Sequence, residues 1–346
     1  MLEATLTSSR TLCRPDKTQE IELTNRCNAQ CHFCPRPVTP KMGFMSLDTF
    51  EQAIKRSVEA DVDEILMTGQ GESLIHPNVE QYVRYAVKAG LKVSITTNGS
   101  LFNNKNTQEM HKWGVHSVNI SMSDFGEAYE EVYKLPFKET MNKIQKFIKY
   151  NRGRLGLTVN IVNHGNNSPP IPLQEKVWRR LGVNVHVIGV SSRASSQKQK
   201  NIPMAFLNND MYRTEAQYIV NNMAQYPVCI MPMVLPQIEW QGRWLLCCND
   251  YESKMPLGDV FTHSKKEIDD IVVGLLAQRN PLCDKCEIDP VNRLRNIMIV
   301  DPDALESTVE DLYQTTLHQR AVPRVRKFMD RIEAAAKNHI VIQDIT

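Results

Sequence analysis

No stretch of the 346-residue chain approaches the roughly 18–20 uninterrupted apolar residues of a membrane span. The first twenty residues, MLEATLTSSRTLCRPDKTQE, lack the apolar core of a secretory signal, so the expected location is cytoplasmic. Charge of one sign is missing too. The 41 Lys and Arg against 39 Asp and Glu leave a formal +2, without the footprint that nucleic acid or an anionic membrane requires. No internal repeat or low-complexity tract appears. With 42% hydrophobic and 23% charged residues, the chain has the balance of a soluble globular protein.

What the chain does have is cysteine, nine in all, an odd number for a disulfide framework. Cys27, Cys31 and Cys34 lie near the start, and Cys229, Cys247, Cys248, Cys283 and Cys286 lie late, with Cys13 apart. In a cytosolic chain such groups are metal ligands more often than bridges.

Between the two groups the pattern alternates β-branched runs with amphipathic stretches. Strands are expected at Glu20–Leu23, Glu64–Thr68, Lys92–Thr97, Ser117–Ser121, Gly156–Ile161 and Asn184–Ile188, with helices near 47–59, 78–89, 105–112, 137–149 and 173–181. Gly90, Gly114 and Gly182 supply stops. Six strand–helix units predict an α/β fold, a partial (β/α)6 TIM-like barrel over residues 18–195, with ligands at the C-terminal ends of the strands. The polar stretch 191–204 marks a boundary. Residues 225–290 read as a small cysteine-rich domain of short strands and turns, with a hairpin round Gln241-Gly242. A helical extension is expected over 303–340, where Val322, Val325, Phe328, Met329 and Ile332 form one apolar face.

The first cysteines fall in the string Leu23-Thr-Asn-Arg-Cys27-Asn-Ala-Gln-Cys31-His-Phe-Cys34-Pro, spaced C-x3-C-x2-C just after the first strand. Closely spaced thiolates suit an iron–sulfur cubane, and three of them leave one iron open to a cofactor. The competing reading is zinc completed by His32, although zinc sites favour C-x2-C pairs.

This spacing, with the preceding TNRCN and Phe33 before the last cysteine, resembles the signature of the radical S-adenosylmethionine superfamily. The resemblance runs over roughly residues 18–290 and implies a 4Fe–4S cluster on Cys27, Cys31 and Cys34, whose open iron binds S-adenosylmethionine and releases a 5′-deoxyadenosyl radical. Thr68-Gly-Gln70-Gly71-Glu72-Ser resembles the family's Gly-Gly-Glu-Pro motif, with Gln70 and Ser73 as departures. Thr96-Thr-Asn98, Ser121-Met-Ser-Asp124 and Val185-His-Val-Ile188-Gly resemble the later cofactor-contacting strand ends. The resemblance thus implies cofactor contacts at Phe33, Gln70, Gly71, Glu72, Asn98, Ser121 and Ile188. Glu72 and Asn98 stand on other strands from the cysteine loop, so they are expected to touch the cofactor rather than support the cluster. Asp124 and Arg193, near strand ends, are candidates for substrate contacts.

The late cysteines resemble the Twitch or SPASM extension of the same superfamily, which implies a second, auxiliary 4Fe–4S cluster on Cys229, Cys247, Cys283 and Cys286. Cys247 is preferred by its Gly-x4-Cys spacing, with Cys248 the alternative, since neighbours in a strand face opposite ways. Zinc remains the competing reading here as well. Cys13 and Cys248 are expected to be structural or incidental thiols. Four thiolates leave no open iron, so this cluster would move electrons. The layout resembles aminocyclitol dehydrogenases, implying oxidation of a small sugar-, cyclitol- or nucleoside-like molecule. Thioether formation or epimerisation in a precursor peptide is the alternative, and a non-catalytic iron–sulfur or zinc protein is a third. Peptide-maturing members often carry a leader-binding domain ahead of the barrel, so the early first strand leans toward a small substrate. The resemblance implies an electron donor such as flavodoxin or ferredoxin.

Overall fold

The computed structural model describes residues 17–35, 41–189, 229, 232, 236–278, 280–284, 286, 331 and 334. β1 (Thr18–Ile21), β2 (Glu64–Met67), β3 (Lys92–Thr97), β4 (Val115–Ser121), β5 (Gly156–Asn163) and β6 (Asn184–Gly189) lie side by side in sequence order, all parallel. They alternate with α1 (Leu47–Glu59), α2 (Val79–Lys88), α3 (Asn104–Trp113), the pair α4 (Gly126–Tyr133) and α5 (Phe137–Asn151), and α6 (Ile171–Arg180). This is the expected α/β half-barrel, with β6 at one edge of the sheet among the described residues.

The local sequence sets each boundary. Ser46 caps α1 by accepting from Thr49 N, and Phe50, Ala53, Ile54 and Ser57 share its buried face. Asn103 and Asn106 cap α3 reciprocally, and Gly114 ends it in the left-handed conformation at φ 94°. On the strands, Val93, Ile95, Val118, Ile120, Val159 and Ile161 alternate toward the helices and are fully buried there with Tyr82, Ile144 and Phe147. Phe102 stacks on Phe147 at 4.2 Å, joining α3 to α5.

Beyond β1 the sheet continues. β7 (Gln237–Ile238) adds parallel to β1, then β8 (Arg243–Leu245) and β9 (Pro256–Asp259) follow antiparallel, giving nine strands in one sheet. The hairpin round Gln241-Gly242 therefore forms as expected, but as an extension of the barrel sheet. Three described α-helices escaped the sequence reading, one of them the single turn Pro281–Asp284. α4 is a short insertion after β4. α7 (Lys265–Ala277) lies in the region expected to hold strands and turns, where Gly274 interrupts the pattern. Its capping box, Ser264 with Glu267, was a legible signal. No helix among the described residues is long and apolar enough to cross a membrane. The 191–204 break, Arg193 and nearly all of the expected 303–340 extension lie outside the described residues.

Candidate active site

The cysteine loop leaves the C-terminal end of β1 and is tied down on both flanks. Thr24 bridges Phe44, Gly43 N donates to Asn25 Oδ1 at 2.9 Å, and Cys34 N donates to Cys31 O at 3.0 Å. Gln30 N and His32 N reach the carbonyls of Tyr133 and Val132 at 3.0 and 3.1 Å, fastening the loop to the end of α4. Cys27, Cys31 and Cys34 are half-buried. Phe33 meets Tyr133 edge-on at 5.8 Å and stacks on His164 at 6.0 Å.

The loop after β2 abuts this one. Gly71 packs so closely that a Cβ there would stand 2.2 Å from Thr24 O and 2.5 Å from Arg26 O. Glu72 N donates to Arg26 O at 2.8 Å. Its buried carboxylate accepts from Asn98 N at 2.7 Å and Leu74 N at 3.1 Å; burial pushes its pKa up, partly offset by these bonds. Asn98 Nδ2 donates to Asn28 Oδ1 at 3.0 Å, and Asn28 Nδ2 to Ser100 Oγ at 2.8 Å. Glu72 and Asn98 stand on other strands from the cysteine loop, as expected, yet lie against it. Both reach it by hydrogen bonds, because parallel neighbours bring their C-terminal loops to one rim.

Glu22, immediately after β1, was not singled out by sequence. It is buried, accepts from Gln70 N at 2.7 Å, and lies near the buried Glu239. Desolvation first, then the like charge of Glu239, pushes its carboxyl up to about 7. Glu239 is held by Arg243 and by Ser253 Oγ at 3.0 Å.

Asp124 is wholly buried, and its oxygens face His164 Nε2 and Ser168 N, both at 2.8 Å. Asp124, a candidate substrate contact, thus has both carboxylate oxygens engaged within the protein, one of them by His164, a residue that sequence reasoning did not single out. Ser121 is half-buried at the end of β4, level with Asn160, while Ile188 is half-buried on β6 opposite Val162.

The second cysteine set gathers round one small cavity of about 20 Å³ lined by Cys229, Pro232, Cys247, Asn249, Leu282, Cys283 and Cys286. Cys247 and Cys248 lie beyond the end of β8, in a turn, so strand alternation is not what separates them. Cys247 is buried and lines the cavity; Cys248 is half-buried and is not among the lining residues. Burial is the main cause that raises the Cys247 thiol. A bound metal would reverse that preference by replacing the proton. Asn280 Oδ1 accepts from Leu282 N and Cys283 N at 3.1 Å, shaping the C-x2-C turn. No group of three or more His, Cys, Asp and Glu among the described residues is drawn together as around a single ion. Soft thiol donors distributed round a space fit a cluster in their chemistry.

Residues 21–169 match the family model described as the radical SAM superfamily. Enzymes of this class bind a 4Fe–4S cluster and S-adenosylmethionine. The chain is 28% identical over 177 residues to the tungsten-containing aldehyde ferredoxin oxidoreductase cofactor-modifying protein of Pyrococcus furiosus, covering 49% of each. It is 27% identical over 188 residues to GTP 3′,8-cyclase of Aquifex aeolicus, covering 51% of this chain and 57% of that one. The chain thus spans about half the length of these curated relatives. Streptococcus suis SuiB, solved with its precursor peptide SuiA, shares the fold with a TM-score of 0.61 at 15% identity, over 82% of this chain and 72% of that one.

Proposed function

We propose that this chain is a radical S-adenosylmethionine oxidoreductase acting on a small hydroxyl-bearing metabolite, sugar-, cyclitol- or nucleoside-like. Cys27, Cys31 and Cys34 would hold the open cluster, and Cys229, Cys247, Cys283 and Cys286 an auxiliary one. When bound, the open cluster and S-adenosylmethionine supply the 5′-deoxyadenosyl radical that takes a substrate hydrogen atom, and the auxiliary cluster takes up the second electron of the oxidation. Reducing equivalents would come from a flavodoxin or ferredoxin. Phe33, Gln70, Gly71, Glu72, Asn98, Ser121 and Ile188 would contact the cofactor. The observation that carries this reading is the closure of four cysteines round one cavity beside a separate three-cysteine loop.

The sheet face turned away from the helices supports a small, uncharged substrate. Registered neighbours there are Thr96, Asn119 and Thr158 on one level and Ser121, Asn160 and His186 on the next. Asn119 Oδ1 is buried without a hydrogen-bond partner. A face that only packed would carry apolar side chains instead. Among the described strand residues of that face the cations are Lys92, exposed at the end far from the rim, and Arg243, whose charge is taken up by Glu239. That disfavours a triphosphate of the kind named in the GTP cyclase relative. The likeness to peptide-bound SuiB supports a second reading, a peptide substrate.

The test is direct. Reduced, reconstituted protein incubated with S-adenosylmethionine should release 5′-deoxyadenosine. The Cys283→Ala, Cys286→Ala double variant should still release some, while losing the two-electron oxidised product. Full product formation without the auxiliary cluster would reject the acceptor role and favour a redox-neutral reaction. Failure of the intact protein to cleave S-adenosylmethionine would remove the reading altogether.

A further inference from the structure

Gln70 is where this chain departs from the motif that its β2 loop resembles, with a long amide side chain in place of glycine. Gln70 is buried, 8% exposed, so its amide needs a partner inside the protein. Nε2 donates to Tyr251 O at 3.0 Å, across 181 residues of sequence. Tyr251 closes the turn that begins at Cys247. In that turn Asn249 N lies 3.4 Å from Cys247 Sγ and Asn249 Nδ2 3.8 Å from Cys286 Sγ, while Asp250 N donates to Cys247 O at 3.1 Å. The Asp250 carboxylate then accepts from Lys254 N and Met255 N at 2.8 and 2.7 Å, stiffening the turn.

On its other side the same segment grips the first cysteine loop. Gly71 lies against the Arg26 backbone, and Glu72 N donates to Arg26 O, one residue before Cys27. Gln70 N is itself anchored on Glu22 Oε2 at 2.7 Å. Residues 70–72 therefore contact both cysteine turns within three consecutive positions. A glycine at 70 would keep the main-chain bond to Glu22 and lose the one to Tyr251.

We propose that Gln70 is a positioning residue that couples the two cysteine sites, its side-chain amide fixing the Cys247 turn against the loop beside Cys27. The inference rests on the two-cluster reading above for its purpose, but the tie itself belongs to the polypeptide. Gln70→Glu is the informative variant: it keeps the length and removes the donor to Tyr251 O. Gln70→Gly removes the side chain altogether.

In the metal-free full-length chain, hydrogen–deuterium exchange should report the tie directly. Both variants should exchange the amides of residues 249–255 about tenfold faster than wild type, with α1 to α3 unchanged. After anaerobic reconstitution both should keep wild-type iron content. The magnetic interaction between the two reduced clusters, read by electron paramagnetic resonance, should be altered in both variants. Uniformly faster exchange throughout the chain would mark a general loss of stability and overturn the proposal. Unchanged exchange over 249–255, or an unchanged interaction spectrum with both clusters loaded, would overturn it as well. Altered exchange in a chain that loads only one cluster would uphold the tie and reject the two-cluster reading instead.

Discussion

Gly71 has room for a hydrogen atom and little else. The atoms that a Cβ would strike belong to the main chain of Thr24 and Arg26, which cannot swing aside as a side chain might. Gly71→Ala should therefore cost about 1–3 kcal/mol, measured by urea unfolding of the metal-free chain. It should also lower iron loading, because relief of the clash moves the cysteine loop. Glu22 carries a pH signature of opposite kind. Its carboxyl is pushed from 4.5 to about 7 by burial and Glu239, so folding favours the protonated form. The stability it contributes is fully present below about pH 4.5 and is lost as pH rises through 7, amounting to about 3 kcal/mol at most. Glu22→Gln should leave stability near pH 4.5 almost unchanged, raise it at pH 8, and flatten the slope between. A wild-type slope in that variant would assign the pH dependence to other groups.

At the scale of elements, α7 leads into the turn that carries Cys283. It buries Ile268, Val272, Val273 and Leu276 and runs to within a few residues of Asn280, which shapes the Cys283 turn. Its start depends on a capping box in which Ser264 Oγ accepts from Glu267 N at 3.3 Å and Glu267 Oε2 accepts from Ser264 N at 2.7 Å. Ser264→Ala should cost about 1 kcal/mol in thermal unfolding. β7 has a different role. By adding to β1 it carries Glu239 to the rim beside Glu22, so one sheet serves both cysteine regions.

For the whole molecule, the prediction is two 4Fe–4S clusters, about eight iron atoms per chain after anaerobic reconstitution. Changing Cys27, Cys31 and Cys34 together to Ala should remove about half of that iron. Cys247→Ala should shed the auxiliary share, whereas Cys248→Ala should stay close to wild type, as its position outside the cavity lining leads one to expect. A dead Cys248→Ala beside a normal Cys247→Ala would exchange the two assignments. Stoichiometric zinc without iron would replace both clusters by zinc sites.

The sequence by itself determined the half-barrel, since β-branched runs separated by amphipathic stretches bury one face each only when strands and helices alternate. β3 and α1 fall where periodicity puts them, to the residue. The three-cysteine loop was equally legible because its residues are contiguous. What lies between distant segments was not. The pairing of Glu22 with Glu239, the Asp124–His164 contact and the bond from Gln70 to Tyr251 each join residues that carry no shared local pattern. Spacing proposed the four late cysteines, but only the packing of the Cys247 turn against the Cys283 turn could bring them round one cavity. Local periodicity reports which face of an element avoids water; which buried polar groups then meet is decided by how the elements close on one another.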